Sequence, residues 1–452
     1  MDSSDFLFAP IYLLVLYALA YRDRNSKYPK GHPLHQYYMP GLTLKFLGAI
    51  CSGIVYWFYY KDGDTIYYFW RTFFIYHTFD YNATNGFRMI FGDPTSPSMY
   101  DLKPLLNNVH ARDTASYMVT RIASFISLFT FCNYSCIALI FAYISFRGIW
   151  ALFRTFTDLY PDSIREMAIA CLYIPSVFFW GSGIFKDTIT LTGVCWMTRS
   201  AYMVLLKRQN ILPNAVIFLI AFYFTFTIKA YIVLCFIPSM LFWIFFTYGS
   251  NIKSSGLRFI VAPFILVIVV AMGYFFIKKA GGNDSNWSAN QIQDRAKDMQ
   301  WWHGRVKELY GAEGGGSFYS VGNGSFTMSN LVISFPQAVV VSLFRPFLWE
   351  ARNPVMFIAS LEGMMMLYFT FKFIFKAGFN KVFKYAQDYP IIFFCFFFSI
   401  FFAFAVGFTS FNFGALVRYK IPLMPYYVAG LFMVQYHVTK DKNDRELARK
   451  LK

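Results

Sequence analysis

The chain has 452 residues, of which 57% are hydrophobic, 22% aromatic and 14% charged, with a net charge of +17. Phe occurs 56 times, against 41 for Lys and Arg together. Globular domains carry about 25% charged residues. This composition excludes a disordered chain, a disulfide-stapled secreted module and an ordinary cytosolic enzyme.

Crossing a membrane takes about 20 apolar residues at about 1.5 Å each, and the apolar blocks of this chain are of that length. In chain order the hydropathy predicts eleven spans, at 6–21, 39–60, 122–146, 167–182, 188–206, 211–228, 230–249, 259–277, 354–371, 389–408 and 422–438. The sixth and seventh are separated by little more than Lys229 and read as a tight helical hairpin. The stretch 331–349 is also apolar, but Pro336, Arg345 and Pro346 mark it as amphipathic or re-entrant rather than a further span. The expected fold is all-α: a polytopic transmembrane helix bundle forming one membrane domain over 1–452. Two long external loops, 61–121 and 278–353, are expected to carry amphipathic helices.

Charge supports this parity. With the N-terminus external, the cytoplasmic segments hold 21 Lys and Arg in 80 residues, whereas the opposite loops hold 18 in 161. That asymmetry puts the loop 372–388 and the basic tail 439–452 in the cytoplasm. Attraction to anionic lipid headgroups accounts for the net charge, so no nucleic-acid partner is implied. The seven cysteines fall in apolar stretches, which implies neither a disulfide framework nor a metal site. Thr188, Thr190, Thr192, Thr225 and Thr227 read as interhelical hydrogen-bonders.

Four polar constellations border the spans. After the second span comes Lys61-Asp62-Gly63-Asp64-Thr65-Ile66-Tyr67-Tyr68. Its carboxylates suit a general base, and the same residues suit a turn and helix cap. Pro175 to Asp187 breaks an apolar run and ends on Lys186 and Asp187, which either mark a turn or face the bundle interior as functional charges. Leu343 to Glu350 holds Arg345, whose guanidinium forks onto phosphate oxygens. Glu350 either fixes that Arg or does acid–base work itself, and Glu362 is a further acid inside the ninth span. Asn412 to Pro425 carries Arg418 and Lys420, cations suited to a buried anion. On the predicted topology all four lie on one face of the membrane, the pattern of a single polar cavity.

The Gly63-Asp64-Thr65…Tyr67-Tyr68 and Arg418-Tyr419…Pro422…Pro425 segments resemble the polytopic glycosyltransferases of the GT-C superfamily. Phe179-Trp180-Gly181-Ser182…Lys186-Asp187 and Leu343-Phe344-Arg345-Pro346…Trp349-Glu350 resemble O-antigen polymerase-like proteins of bacterial surface-polysaccharide pathways. The resemblance implies a bacterial inner-membrane enzyme taking a sugar or oligosaccharide from a polyprenyl phosphate or diphosphate. The acceptor would be a glycan, lipid or protein at the external face. Asp64 would be the base, with Asp62 in reserve and Glu350 as a further catalytic acid. Lys186, Asp187, Arg345, Arg418, Lys420 and Tyr68 would bind substrate. The lipid-linked sugar is then a donor substrate, no resident cofactor is implied, and a divalent metal is left open. Two other classes remain: a transporter or flippase for a lipid-linked or anionic solute, and a non-catalytic subunit of a surface-export complex docking through 278–330.

Overall fold

The computed structural model describes residues 3–249, 305, 318–322, 328–410 and 412–450. Among these the chain is all-helical, and seven helices are long and apolar enough to cross a membrane. The predicted span 259–277 and most of loop 278–330 lie outside the described residues. The chain divides into two compact units, Met1–Val233 and Leu234–Lys452.

The first unit runs through α1 (Ser3–Lys27), α2 (His35–Ile54, prolonged by a π turn to Tyr60), α3 (Asp64–Tyr81), α4 (Ala83–Phe91), α5 (Lys103–Asn108), α6 (Thr114–Ser127), α7 (Tyr134–Leu159), α8 (Ile164–Leu172), α9 (Pro175–Trp180) and α10 (Lys186–Ala201), then into α11 (Ile211–Gly249). Helix α7 is its axis, packed by α1, α2, α8 and α10 and buried along most of its length. Two side chains set its start. Asn133 accepts from the Cys136 N–H, and the buried Asp5 accepts from the Ser135 N–H at 2.8 Å. The segment 61–121 is no open loop. It folds as α3 to α6 around a small core of its own, which includes Ile75, Met89, Ile90, Met99, Leu102 and Tyr117.

Two span predictions need correction. The stretch 122–146 is broken at 128–133, where Phe131 and Cys132 adopt positive φ, and the long apolar helix is instead α7. The stretch 167–182 is two short helices, because the Ile174–Pro175 junction disfavours continuous α geometry. These pieces still run alongside α2, with Leu172 against Gly41 and Phe178 against Gly48. A Cβ on Gly48 would meet the Phe178 carbonyl oxygen at 1.9 Å, so the two backbones touch there. At Lys229 the expected break is present: α11 is two helices that meet across a kink, where Lys229 alone is non-helical (φ −145°, ψ 77°). Its 39 residues leave about 20 on either side of the kink, each stretch about one membrane thickness long.

Four of the five threonines bond nearby backbone rather than another helix. Thr192 donates to the Thr188 carbonyl at 2.6 Å and Thr225 to the Ala221 carbonyl at 2.7 Å, each within its own helix. Thr188 and Thr190 bond the backbone of Gly183 and Asp187. A hydroxyl that reaches back to the preceding turn is satisfied locally and cannot also join helices with that proton.

The second unit continues from α11 to α12 (Met328–Phe344), α13 (Pro354–Ala377), α14 (Phe379–Asp388), α15 (Pro390–Ser410), α16 (Phe413–Tyr419) and α17 (Met424–Lys450). Helix α15 buries Ile391, Phe394, Cys395, Phe398 and Phe402, a stripe at helical spacing. Phe394 and Phe398 meet Tyr426 of α17 edge-on. The stretch 331–349 becomes α12, at 17 residues shorter than the seven membrane-length helices, and ends before Pro346. Helix α17 starts buried and runs on as an exposed basic end over 442–450.

Candidate functional site

The head of α10 gathers charge from five elements of the first unit. Gly181-Ser182-Gly183 ends α9 and turns the chain into α10, whose first two residues are Lys186 and Asp187. Asp187 is 1% exposed and lies in the first helical turn, where backbone N–H groups favour a carboxylate. The Lys229 ammonium, at the break in α11, donates to its Oδ1 at 2.5 Å. Buried charges need such pairing, since an isolated one costs several kcal/mol.

Lys186 faces the other way. Its Nζ is 3.9 Å from Asp113 Oδ2, and it also interacts electrostatically with Asp64, Asp187 and Arg71. Asp113 caps α6, accepting from the Ser116 N–H and from its hydroxyl at 2.5 Å. Burial pushes the Asp113 carboxyl up, but Lys186, the Ser116 hydrogen bonds and Arg71 outweigh it and hold the group below the usual carboxylate range. Asp64 opens α3 after Gly63, whose φ of 124° and contact with the Tyr56 ring admit only glycine. Arg71 follows Asp64 by two turns and so shares its helix face. Among the described residues the Arg71 Nη1 is buried and meets no hydrogen-bond acceptor.

Asp62 and Tyr68 are placed differently. Asp62 is exposed, accepts from the Gly63 N–H at 2.8 Å and bonds the Tyr67 hydroxyl. Tyr68 is buried at 3% exposure within the first unit.

A further cation here, like Arg71, has no counterpart among the residues singled out from the sequence. Lys45, in the middle of α2, is 2% exposed and donates to Ser145 Oγ (3.1 Å), the Val177 carbonyl (3.1 Å) and the Gly181 carbonyl (2.8 Å). It satisfies carbonyls freed at the end of α9 and ties that turn to α2.

In the second unit Arg345 and Glu350 close one turn. The Arg345 Nε lies 3.0 Å from Glu350 Oε2 and its Nη2 also bonds Oε1, while the Phe347 N–H donates to Oε2 at 2.8 Å. Burial would raise the Glu350 carboxyl, but the guanidinium and the Phe347 N–H hold it below its ordinary value. A carboxylate kept ionised is a poor proton donor, so the geometry favours the fixing role over the acid role. Lys420 is buried, donates to the Arg345 carbonyl at 3.3 Å and interacts with Glu362. The Arg345 guanidinium also lies 4.9 Å from the Phe413 ring centre. Arg418 is half-buried in the last turn of α16.

The predicted residues thus fall into two groups. Asp64, Lys186 and Asp187 meet in the first unit; Arg345, Glu350 and Lys420 meet in the second. Asp113, Arg71, Lys229 and Lys45 were missed. Lys229 and Lys45 carried a signal, as lone cations inside apolar runs. Among the described residues no three His, Cys, Asp or Glu are grouped to hold a metal ion. No protein-family model, curated protein or solved structure matches the chain.

Proposed function

We propose that the chain is a membrane glycosyltransferase that moves a sugar or oligosaccharide from a polyprenyl phosphate or diphosphate to an acceptor at the external membrane face. The observation that carries this reading is Arg71. It is a cation with a buried N–H that lacks an acceptor, adjoining Lys186 and on the face of Asp64. Such an arrangement offers anion-binding donors beside a carboxylate. In the reaction, Asp64 takes the proton of the acceptor hydroxyl as that oxygen bonds the anomeric carbon. The bond from that carbon to the phosphate oxygen breaks, and its electron pair leaves with the phosphate. Lys186 and Arg71 hold the charge that grows there, and their worth increases where water is excluded. Asp113 keeps Lys186 in place. Within the second unit, Arg345, Arg418 and Lys420 are cations suited to an anionic group.

A second reading has its own observation. A buried ion pair, Asp187–Lys229, at a break in an apolar helix suits a transporter of anionic solutes. Purified protein supplied with a polyprenyl-phosphate sugar separates the two. The transferase forms a glycosidic bond, and Asp64→Asn lowers turnover about a hundredfold or more while donor binding persists. Lys186→Gln weakens donor binding along with rate. Full turnover in Asp64→Asn would remove this carboxylate from the chemistry, and solute uptake with no covalent product would establish the transporter.

A further inference from the structure

A cavity of about 180 Å³ opens in the segment between α4 and α6, on the small core of the first unit. Its floor is apolar, made by Met99, Leu106 and Ala111. Its rim is polar and cationic, with Lys103 and Arg112 beside Tyr100, Thr95 and Asn107. Lys103 lies 5.8 Å above the Tyr100 ring centre. The neighbouring carboxylates are occupied elsewhere. Asp101 binds Arg88 through both oxygens at 2.7 Å, Asp93 accepts from the Thr95 N–H and hydroxyl, and Asp113 faces Lys186. Among the described residues Lys103 and Arg112 therefore have no acidic partner. Arg112 immediately precedes Asp113, which puts the cavity next to the Lys186 cluster.

We infer that this cavity binds one sugar ring carrying a negative charge, a uronate or a phosphosugar, as the terminal unit of the acceptor. A pyranose presents an apolar face and a rim of hydroxyls, matching an apolar floor under Tyr100, Thr95 and Asn107. Two unpaired cations at the rim select a ring with a carboxylate or phosphate over a neutral one. A cavity of about 180 Å³ has room for a sugar ring. Calling the occupant an acceptor rests on the transferase reading; its binding does not.

The test is binding to the purified full-length protein, read by saturation-transfer NMR with glucuronate, glucose 6-phosphate, glucose and inorganic phosphate. The two charged sugars should bind saturably, and whichever binds tighter names the source of the charge. Glucose should bind at least about tenfold more weakly. Lys103→Gln and Arg112→Gln should each weaken the charged sugars about tenfold, the size of one charge-assisted contact, with Arg112→Lys in between. Both positions are exposed, so the variants should fold as the parent does. Equal binding of glucose, no saturable binding of either charged sugar, or binding unchanged in the double variant would overturn the inference. Inorganic phosphate binding as tightly as glucose 6-phosphate would overturn the assignment to a sugar. Asp64→Asn should leave all of this binding intact. Its loss of turnover with charged-sugar binding retained, or the reverse, tells the two readings apart.

Discussion

The charges at the head of α10 and those around Arg345 are both mixed-sign clusters, yet they are built in opposite ways. The first draws on residues from Asp64 to Lys229, spread over α3, α6, α10 and α11 and joined only by tertiary contact. Its central pair is buried, with side chains 7% and 1% exposed for Lys229 and Asp187. The second closes over five residues in one turn, and its side chains are 23% and 17% exposed for Arg345 and Glu350. A local pair mainly shapes its own turn, whereas a long-range pair fixes helices to one another. Water can also partly replace a lost partner at the second site. It reaches the first far less.

The largest predicted effect follows from that difference. Lys229→Ala leaves Asp187 a buried charge without its cation, which should cost about 3–5 kcal/mol. Glu350→Ala at the turn should cost about 1–2 kcal/mol. Thermal unfolding of the purified protein in one detergent measures both, and equal losses would break the comparison. The double change Asp187→Leu with Lys229→Leu should recover much of the loss, because a buried pair replaced by apolar groups is often near neutral.

Lys45 sharpens the comparison, being a buried cation held by carbonyls and a hydroxyl rather than by a carboxylate. Lys45→Met keeps the apolar stem and drops the three hydrogen bonds. The Gly181 carbonyl still accepts from the Ser145 hydroxyl at 2.6 Å, so chiefly the Val177 carbonyl is left short. The expected loss is about 1–3 kcal/mol, the cost of unmet buried polar groups. It should lie between the two effects above. A loss as large as that of Lys229→Ala would show that the α9 turn, rather than the ion pair, holds the first unit together.

The same contrast explains what could be read from the sequence. Helices and their apolar character followed from hydropathy alone, as α2, α13 and α15 show. The break at Lys229 was legible as a lone cation between two apolar runs, but the one at 128–133 was not, since its flanks are as apolar as any span and only backbone geometry interrupts them. The Arg345–Glu350 pair was legible because both partners lie in one short motif. Asp113 and Arg71 were not, because each resembles an ordinary loop or helix charge until α6 and α3 bring it to Lys186. Lys45 shows in the sequence only as a lone cation inside an apolar run. Its role depends on carbonyls more than 130 residues away along the chain.

The smallest predicted effect concerns acid. Asp113 and Glu350 are both held below the ordinary carboxylate range, one by Lys186 and Arg71 against burial, the other by Arg345 and Phe347. A lowered folded-state value means each group adds stability above its unfolded value, at about pH 4. That stability is lost as pH falls through the folded value. Stability should therefore decline below about pH 5, and replacing either carboxyl with its amide should flatten the decline. The Asp113 side chain is 47% exposed, so solvent screens its interaction with Lys186. Glu350 is less exposed and its contacts are closer. Glu350→Gln should thus remove more of the acid limb than Asp113→Asn, with neither changing the slope between pH 6 and 8. Unfolding midpoints taken from about pH 3 to about pH 8 measure this directly. An acid limb that depends more on Asp113 would mean that the α10 head is drier, and its charges more tightly coupled, than the exposure of Asp113 implies.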